Sequence, residues 1–274
     1  MNAGNGRPYV RRFDTFDRVL HVLLMGSFLG LAATGLPLLF SDEPAARALT
    51  WFLGSFEVAG WMHRVCALTL IGVFAAHLTR IIKRLLRGDR SVLWGPTSMV
   101  PQPRDLREFV QHVRWFVGRG PRPRFDRYTY WEKFDYWAVF WGMGIIGASG
   151  LLLWFPEFFA RLVPGWVFNI AMLVHGEEAL LAVGFIFTMH FFNGHLRPEK
   201  FPMDTVIFTG RVTLDEFRAE RPDEYERLER EGALGTIRAD PPQDWVLRLG
   251  RTIGTAAITI GLVIVSLIVY ALIT

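Results

Sequence analysis

Long stretches of the chain carry no Asp, Glu, Lys or Arg, among them residues 19–41, 65–79, 136–156, 179–196 and 252–274. A helix rises about 1.5 Å per residue, so crossing a hydrocarbon core about 30 Å thick takes roughly 20 apolar residues. Four of the stretches reach that length, or nearly so with their flanks. The second reaches it when extended to residues 58–82, with His63 and Arg64 near one surface. The pattern predicts five transmembrane helices and an all-α integral membrane fold. The first stretch lacks a small-residue cleavage site, so it is expected to stay as a helix rather than be removed as a signal peptide.

The charged flanks reveal an internal repeat. Arg12-Phe13-Asp14-Thr15-Phe16-Asp17-Arg18 precedes the first stretch, which closes with Thr34-Gly35-Leu36-Pro37-Leu38-Leu39-Phe40. Arg127-Tyr128-Thr129-Tyr130-Trp131-Glu132-Lys133 precedes the third, which closes with Ser149-Gly150-Leu151-Leu152-Leu153-Trp154-Phe155 at the same offset. A duplicated helix hairpin predicts a four-helix bundle with pseudo-twofold symmetry over residues 1–200, followed by a charged segment at 201–250 and a fifth transmembrane helix at 251–274. Glycines such as Gly26, Gly30, Gly142, Gly144 and Gly147 suit close helix packing. Between the second and third spans, at about 84–130, residues 104–118 place Leu106, Phe109, Val110, Val113, Phe116 and Val117 on one face. That reads as a helix lying in the membrane interface, with His112 on its solvated side. Residues 211–231 read as a short soluble helix, and the last span as a plain anchor or packing partner.

Composition sharpens this. The chain has 274 residues, 51% of them hydrophobic, and a net charge of +4. Arginines crowd the N-terminal arm, the link between the second and third spans, and the segment after the fourth. The other two connections contain only Arg47 and Arg161. The positive-inside rule therefore puts the N-terminus in the cytoplasm and the C-terminus outside, in a bacterial inner membrane. The same rule accounts for the arginines, so no nucleic-acid partner is expected. The single cysteine, Cys66, excludes a disulfide framework and a thiolate metal cluster. No Cys-x-x-Cys-His is present, so any haem is held without thioether links.

The chemistry lies in the histidines. His63 and His77 are fourteen residues apart on the second span, and His175 and His190 fifteen apart on the fourth. Ionisable side chains inside a membrane are costly and mark function. Spacings of this size put the second imidazole of each helix roughly 21 Å along the axis and about 40–60° off the first one's face. Two facing helices can thus clamp two stacked haems, His63 and His175 at the outer depth, His77 and His190 at the inner. Two axial imidazoles close the iron to oxygen, so the expected activity is electron transfer. The inner end has further candidates in His21 and His195. The repeat favours His77 with His190, since Tyr136 stands where the first span has His21. A leftover imidazole suits a haem propionate or a quinone carbonyl.

Arg12, Asp17, Arg18 and His21 in Arg-x-x-x-x-Asp-Arg-x-x-His, His63 opening the second span, His175 and His190 on the fourth, and Gly-Leu-Leu-Leu-Trp-x-Pro closing the third resemble the gamma-subunit di-haem cytochrome b of membrane formate dehydrogenases and its thiosulfate reductase and hydrogenase relatives. The tail Phe201-Pro202-Met203-Asp204 with Thr209-Gly210 resembles a branch found beside multihaem cytochromes. The resemblance covers roughly residues 12–230. It implies two haems b, the outer bound by His63 and His175 and the inner by His21 and His190, which leaves His21 and His77 competing for one place. A third haem using His195 is a further alternative. It also implies quinone chemistry beside the inner haem. There the chain has Tyr128, Thr129, Tyr130, Trp131, Glu132 and Lys133 in place of the amide-bearing sequence associated with formate dehydrogenase, and Glu132, Lys133 and Asp135 are candidates for proton relay. Glu177 and Glu178 could face a propionate, a proton path or a partner.

The expected role is an electron-transfer subunit of a quinone-linked oxidoreductase complex. It would connect the quinone pool to an outer-face partner, either a periplasmic multihaem cytochrome c or iron–sulfur or molybdenum redox subunits. The alternative is a histidine-lined proton or metal transporter. Transport sites pair histidine with acids at mid-membrane, whereas the central turns here are apolar.

Overall fold

The computed structural model describes residues 7–201 and 203–273. Pro202, part of the tail motif, and Thr274, the end of the last apolar stretch, lie outside the described residues, as does the N-terminal arm before Arg7. The principal helices are α1 (Thr15–Leu39), α2 (Pro44–Leu53), α3 (Phe56–Leu86), α4 (Pro103–Phe116), α5 (Tyr130–Trp154), α6 (Trp166–Leu196), α7 (Leu214–Glu220), α8 (Pro222–Arg230) and α9 (Asp244–Ile273). Among them α1, α3, α5, α6 and α9 are long and apolar enough to cross a membrane. The fold is all-α and integral to the membrane, with five spanning helices.

The chain divides into two compact units. The apolar unit comprises residues 20–76, 138–204 and 251–274. Its core is a cluster of Ala32, Val183, Phe187, Phe191, Ile264 and Ile268 from α1, α6 and α9. Glycine lets these helices approach. A Cβ on Gly30 would lie 2.5 Å from Cys66 Sγ, locking α1 against α3, and one on Gly261 would strike the rings of Phe187 and Phe191. The last helix is therefore a packing partner of α6. Wider π-helical turns interrupt α5 at Met143–Gly147 and α6 at Ile186–His190 and Phe192–Leu196. Such turns recur at functional sites, because they re-aim the side chains that follow.

The polar unit comprises residues up to Val19, His77–Trp137 and Thr205–Gly250. It contains a small antiparallel sheet in the order β2-β1-β3, formed by β1 (Tyr9–Arg11), β2 (Arg211–Thr213) and β3 (Arg238–Ala239). Val10 pairs with Val212 and sits with it and Phe217 in a second core. Residues 211–231, expected as one short helix, are instead a strand followed by α7 and α8. Thr213 caps α7, its side chain accepting from the Glu216 N–H. Ion pairs tie this unit together over long sequence distances. Arg12 and Arg127 share Glu224, and each also donates to the other's backbone carbonyl. Burial, with Arg127 and Arg221 close by, pushes the Arg12 guanidinium down to about 10. Removing one partner from a buried pair costs about 3–5 kcal/mol, because the other charge is left uncompensated.

The helix expected to lie in the interface brings a correction. The apolar face of α4 is indeed outward, with Leu106 67% and Phe116 70% exposed, but His112 is not solvated. It is 7% exposed, its Nδ1 lies 3.0 Å from the Tyr130 hydroxyl, and its ring stacks on Phe116 and faces Trp131. The polar face of α4 turns inward because its charges have partners there. Glu108 meets Arg104 and Asp105 meets Lys133. Burial holds the Glu108 carboxyl above the usual carboxylate range, against the pull of Arg104.

Candidate functional site

In the apolar unit, α3 and α6 each present an imidazole to the other, and the rings of His63 and His175 lie 6.2 Å apart between centres. His21 from α1 and His190 from α6 lie 6.4 Å apart. A metal held between two imidazoles, with bonds of about 2.0 Å and about 1.1 Å more to each ring centre, sets the centres about 6.2 Å apart. Both pairs have that separation. Among the described residues, no group of three or more His, Cys, Asp or Glu side chains is arranged to hold a bare metal ion. Two imidazoles alone leave such an ion under-coordinated, whereas a macrocyclic iron needs only two axial ligands.

The first pair is oriented by the duplicated hairpin. The Thr34 hydroxyl donates to the Gly30 carbonyl at 2.6 Å, so toward His63 Nδ1, 3.0 Å away, it acts as acceptor. His175 Nδ1 faces the Ile146 carbonyl at 3.0 Å and the Ser149 hydroxyl at 3.2 Å, and a carbonyl can only accept. Both rings therefore carry their proton on Nδ1 and offer the Nε2 lone pair. This is the outer support that metal-ligating histidines characteristically have. The next residue in each repeat makes room for the ring. A Cβ on Gly35 would lie 3.1 Å from His63 Cε1, and one on Gly150 2.9 Å from His175 Cε1. In the sequence Thr34-Gly35 and Ser149-Gly150 stand out only as repeat landmarks. Their matched place in the two repeats, each ahead of a candidate ligand by 29 and 26 residues, was the available signal.

At the second pair, His21 Nδ1 is buried and has no hydrogen-bond partner among the described residues. His77 is engaged otherwise. Its Nε2 lies 2.9 Å from the hydroxyl of Tyr136, the repeat counterpart of His21. His195 accepts the Asp204 backbone N–H on Nδ1 at 3.3 Å. Its neutral ring then carries the proton on Nε2 and has no lone pair there for a metal. The His195 ring is 6.5 Å from that of His190.

The remaining candidates lie in the polar unit and are drawn into its framework. Glu132 closes a capping box with Thr129 and accepts from Arg221 at 2.8 Å. Lys133 is buried on Asp105. Trp131 packs on Phe125 and Tyr130, and Tyr128 lies under the Arg127 guanidinium. Arg80 holds Asp14 and Asp17, and its hydrogen bond draws the Asp14 carboxyl below the usual range. In the apolar unit, Glu178 accepts from Trp141 Nε1 at 3.2 Å, and Glu177 is exposed.

The family described as prokaryotic cytochrome b561 matches residues 10–197, more than half of the chain. No curated protein matches it.

Proposed function

This chain belongs to the prokaryotic cytochrome b561 family, multi-pass b-type cytochromes of the membrane that transfer electrons, and from that premise we propose that it holds two haems on bis-imidazole pairs. His63 with His175 takes one haem, and His21 with His190 the other. The observation carrying this assignment is the pair of ring separations, 6.2 and 6.4 Å. Iron bound there supplies one-electron exchange. The protein's own part is to fix the rings, exclude other ligands and set the surroundings. Thr34 holds the His63 imidazole, and the Ile146 carbonyl with Ser149 the His175 imidazole, in the tautomer that offers Nε2.

The charge asymmetry supports an inner membrane location with the N-terminus in the cytoplasm. His63 and His175 then face the outer side and His21 and His190 the inner. We assign quinone exchange to the inner haem, and to His77 and Tyr136, a hydrogen-bonded couple within the polar unit, the capacity to hold or pass a proton. Glu132 and Lys133 serve as ion-paired anchors of α5. The outer partner is a multihaem cytochrome c or an iron–sulfur or molybdenum redox subunit, and the chain is one subunit of a quinone-linked complex. The purified chain is expected to contain two reducible b-type haems, counted by pyridine hemochrome. A preparation with no reducible Soret band would overturn the reading.

A further inference from the structure

Arginines of the polar unit differ in whether a carboxylate holds them. Arg12, Arg104, Arg124, Arg127, Arg221 and Arg227 each pair with a carboxylate. Arg107, Arg114 and Arg119 pair with none among the described residues, and all three line one surface groove of about 550 Å³, walled also by Leu106, Val110 and Pro121. The groove opens along α4, whose apolar side chains point outward. Lys133 of the first turn of α5 binds Asp105 in the first turn of α4 at 2.9 Å.

We propose that this groove binds the phosphate of an anionic phospholipid. Guanidinium groups match phosphate oxygens in a bidentate way, and three of them without a competing carboxylate leave that capacity open. Leu106, Val110 and Pro121 offer an apolar wall to the glycerol and upper acyl carbons, which a free phosphate would not use. An amphipathic helix in the interface gains from both contributions, apolar burial and attraction to anionic lipid. The site depends on the membrane reading and is independent of which histidines hold haem.

The test is native mass spectrometry of the full chain in detergent, titrated with phosphatidylglycerol or phosphatidylcholine, with thermal unfolding as the check on folding. The wild type is expected to retain phosphatidylglycerol preferentially. The variant R107Q/R114Q/R119Q is expected to lose about a hundredfold in relative affinity, and each single variant about fivefold. The control R87Q/R90Q, two exposed arginines off the groove, is expected to keep the wild-type preference. If the triple variant does not fold, the single variants carry the test. Three results would overturn the proposal: unchanged retention in the groove variants, an equal loss in the control, or displacement of the lipid by millimolar inorganic phosphate.

Discussion

The His63–His175 pair and the His21–His190 pair share a ring separation but differ in how they are held. Each ring of the first is fixed through Nδ1, by Thr34 on one side and by Ser149 with the Ile146 carbonyl on the other. In the second, His21 Nδ1 is buried without a partner among the described residues. The planes differ as well, tilted by 71° in the first pair and 35° in the second. The first site is thus set by the protein before anything binds, while the second takes part of its orientation from what it holds. Duplication explains the asymmetry. The repeated Thr-Gly and Ser-Gly steps both act on the first pair, whereas at the other end the repeat has diverged into His21 on one helix and Tyr136 on its counterpart.

The largest expected effect is from removing a ligand. His63→Ala or His175→Ala should halve the haem content while sparing the second pair, and His190→Ala should do the reverse, read by pyridine hemochrome. Next is the hydroxyl support. Thr34→Val and Ser149→Ala should each weaken haem retention at the first pair by about 10- to 100-fold, measured by haem loss to an acceptor protein. Gly150→Ala should destabilise the same site by about 1–3 kcal/mol through overpacking against His175, and Gly35→Ala, with slightly more room, by less, seen in thermal unfolding of the haem-loaded protein. The smallest difference is spectroscopic. The steeper ring angle at the first pair predicts two distinct low-spin ferric signals, with the more anisotropic one lost in His63→Ala. A single signal shared by both sites would erase the comparison.

Much of this was legible in the pattern of charge. The five spans, the packing role of the last helix and the outward apolar face of α4 all follow from where Asp, Glu, Lys and Arg are missing. His112 was misread because amphipathicity says which face is apolar, not which way it turns. In α4 the charged face has the ion-pair partners, so it goes inward. The small sheet joins the two ends of the chain and the Arg12–Glu224 pair joins residues 212 positions apart, relations that local periodicity does not carry. Spacing alone also left the inner pair open. It assumes an unbroken 3.6-residue turn, and α6 departs from that in the π turn ending at His190. The hydrogen bond between His77 and Tyr136 was foreshadowed only in that Tyr136 replaces His21 in the repeat.

The most direct measurement is a haem count on the purified wild type, His21→Ala and His77→Ala chains prepared in parallel. Two haems in the wild type, one in His21→Ala and two in His77→Ala are the predicted result. One haem in His77→Ala with two retained in His21→Ala would contradict the assignment.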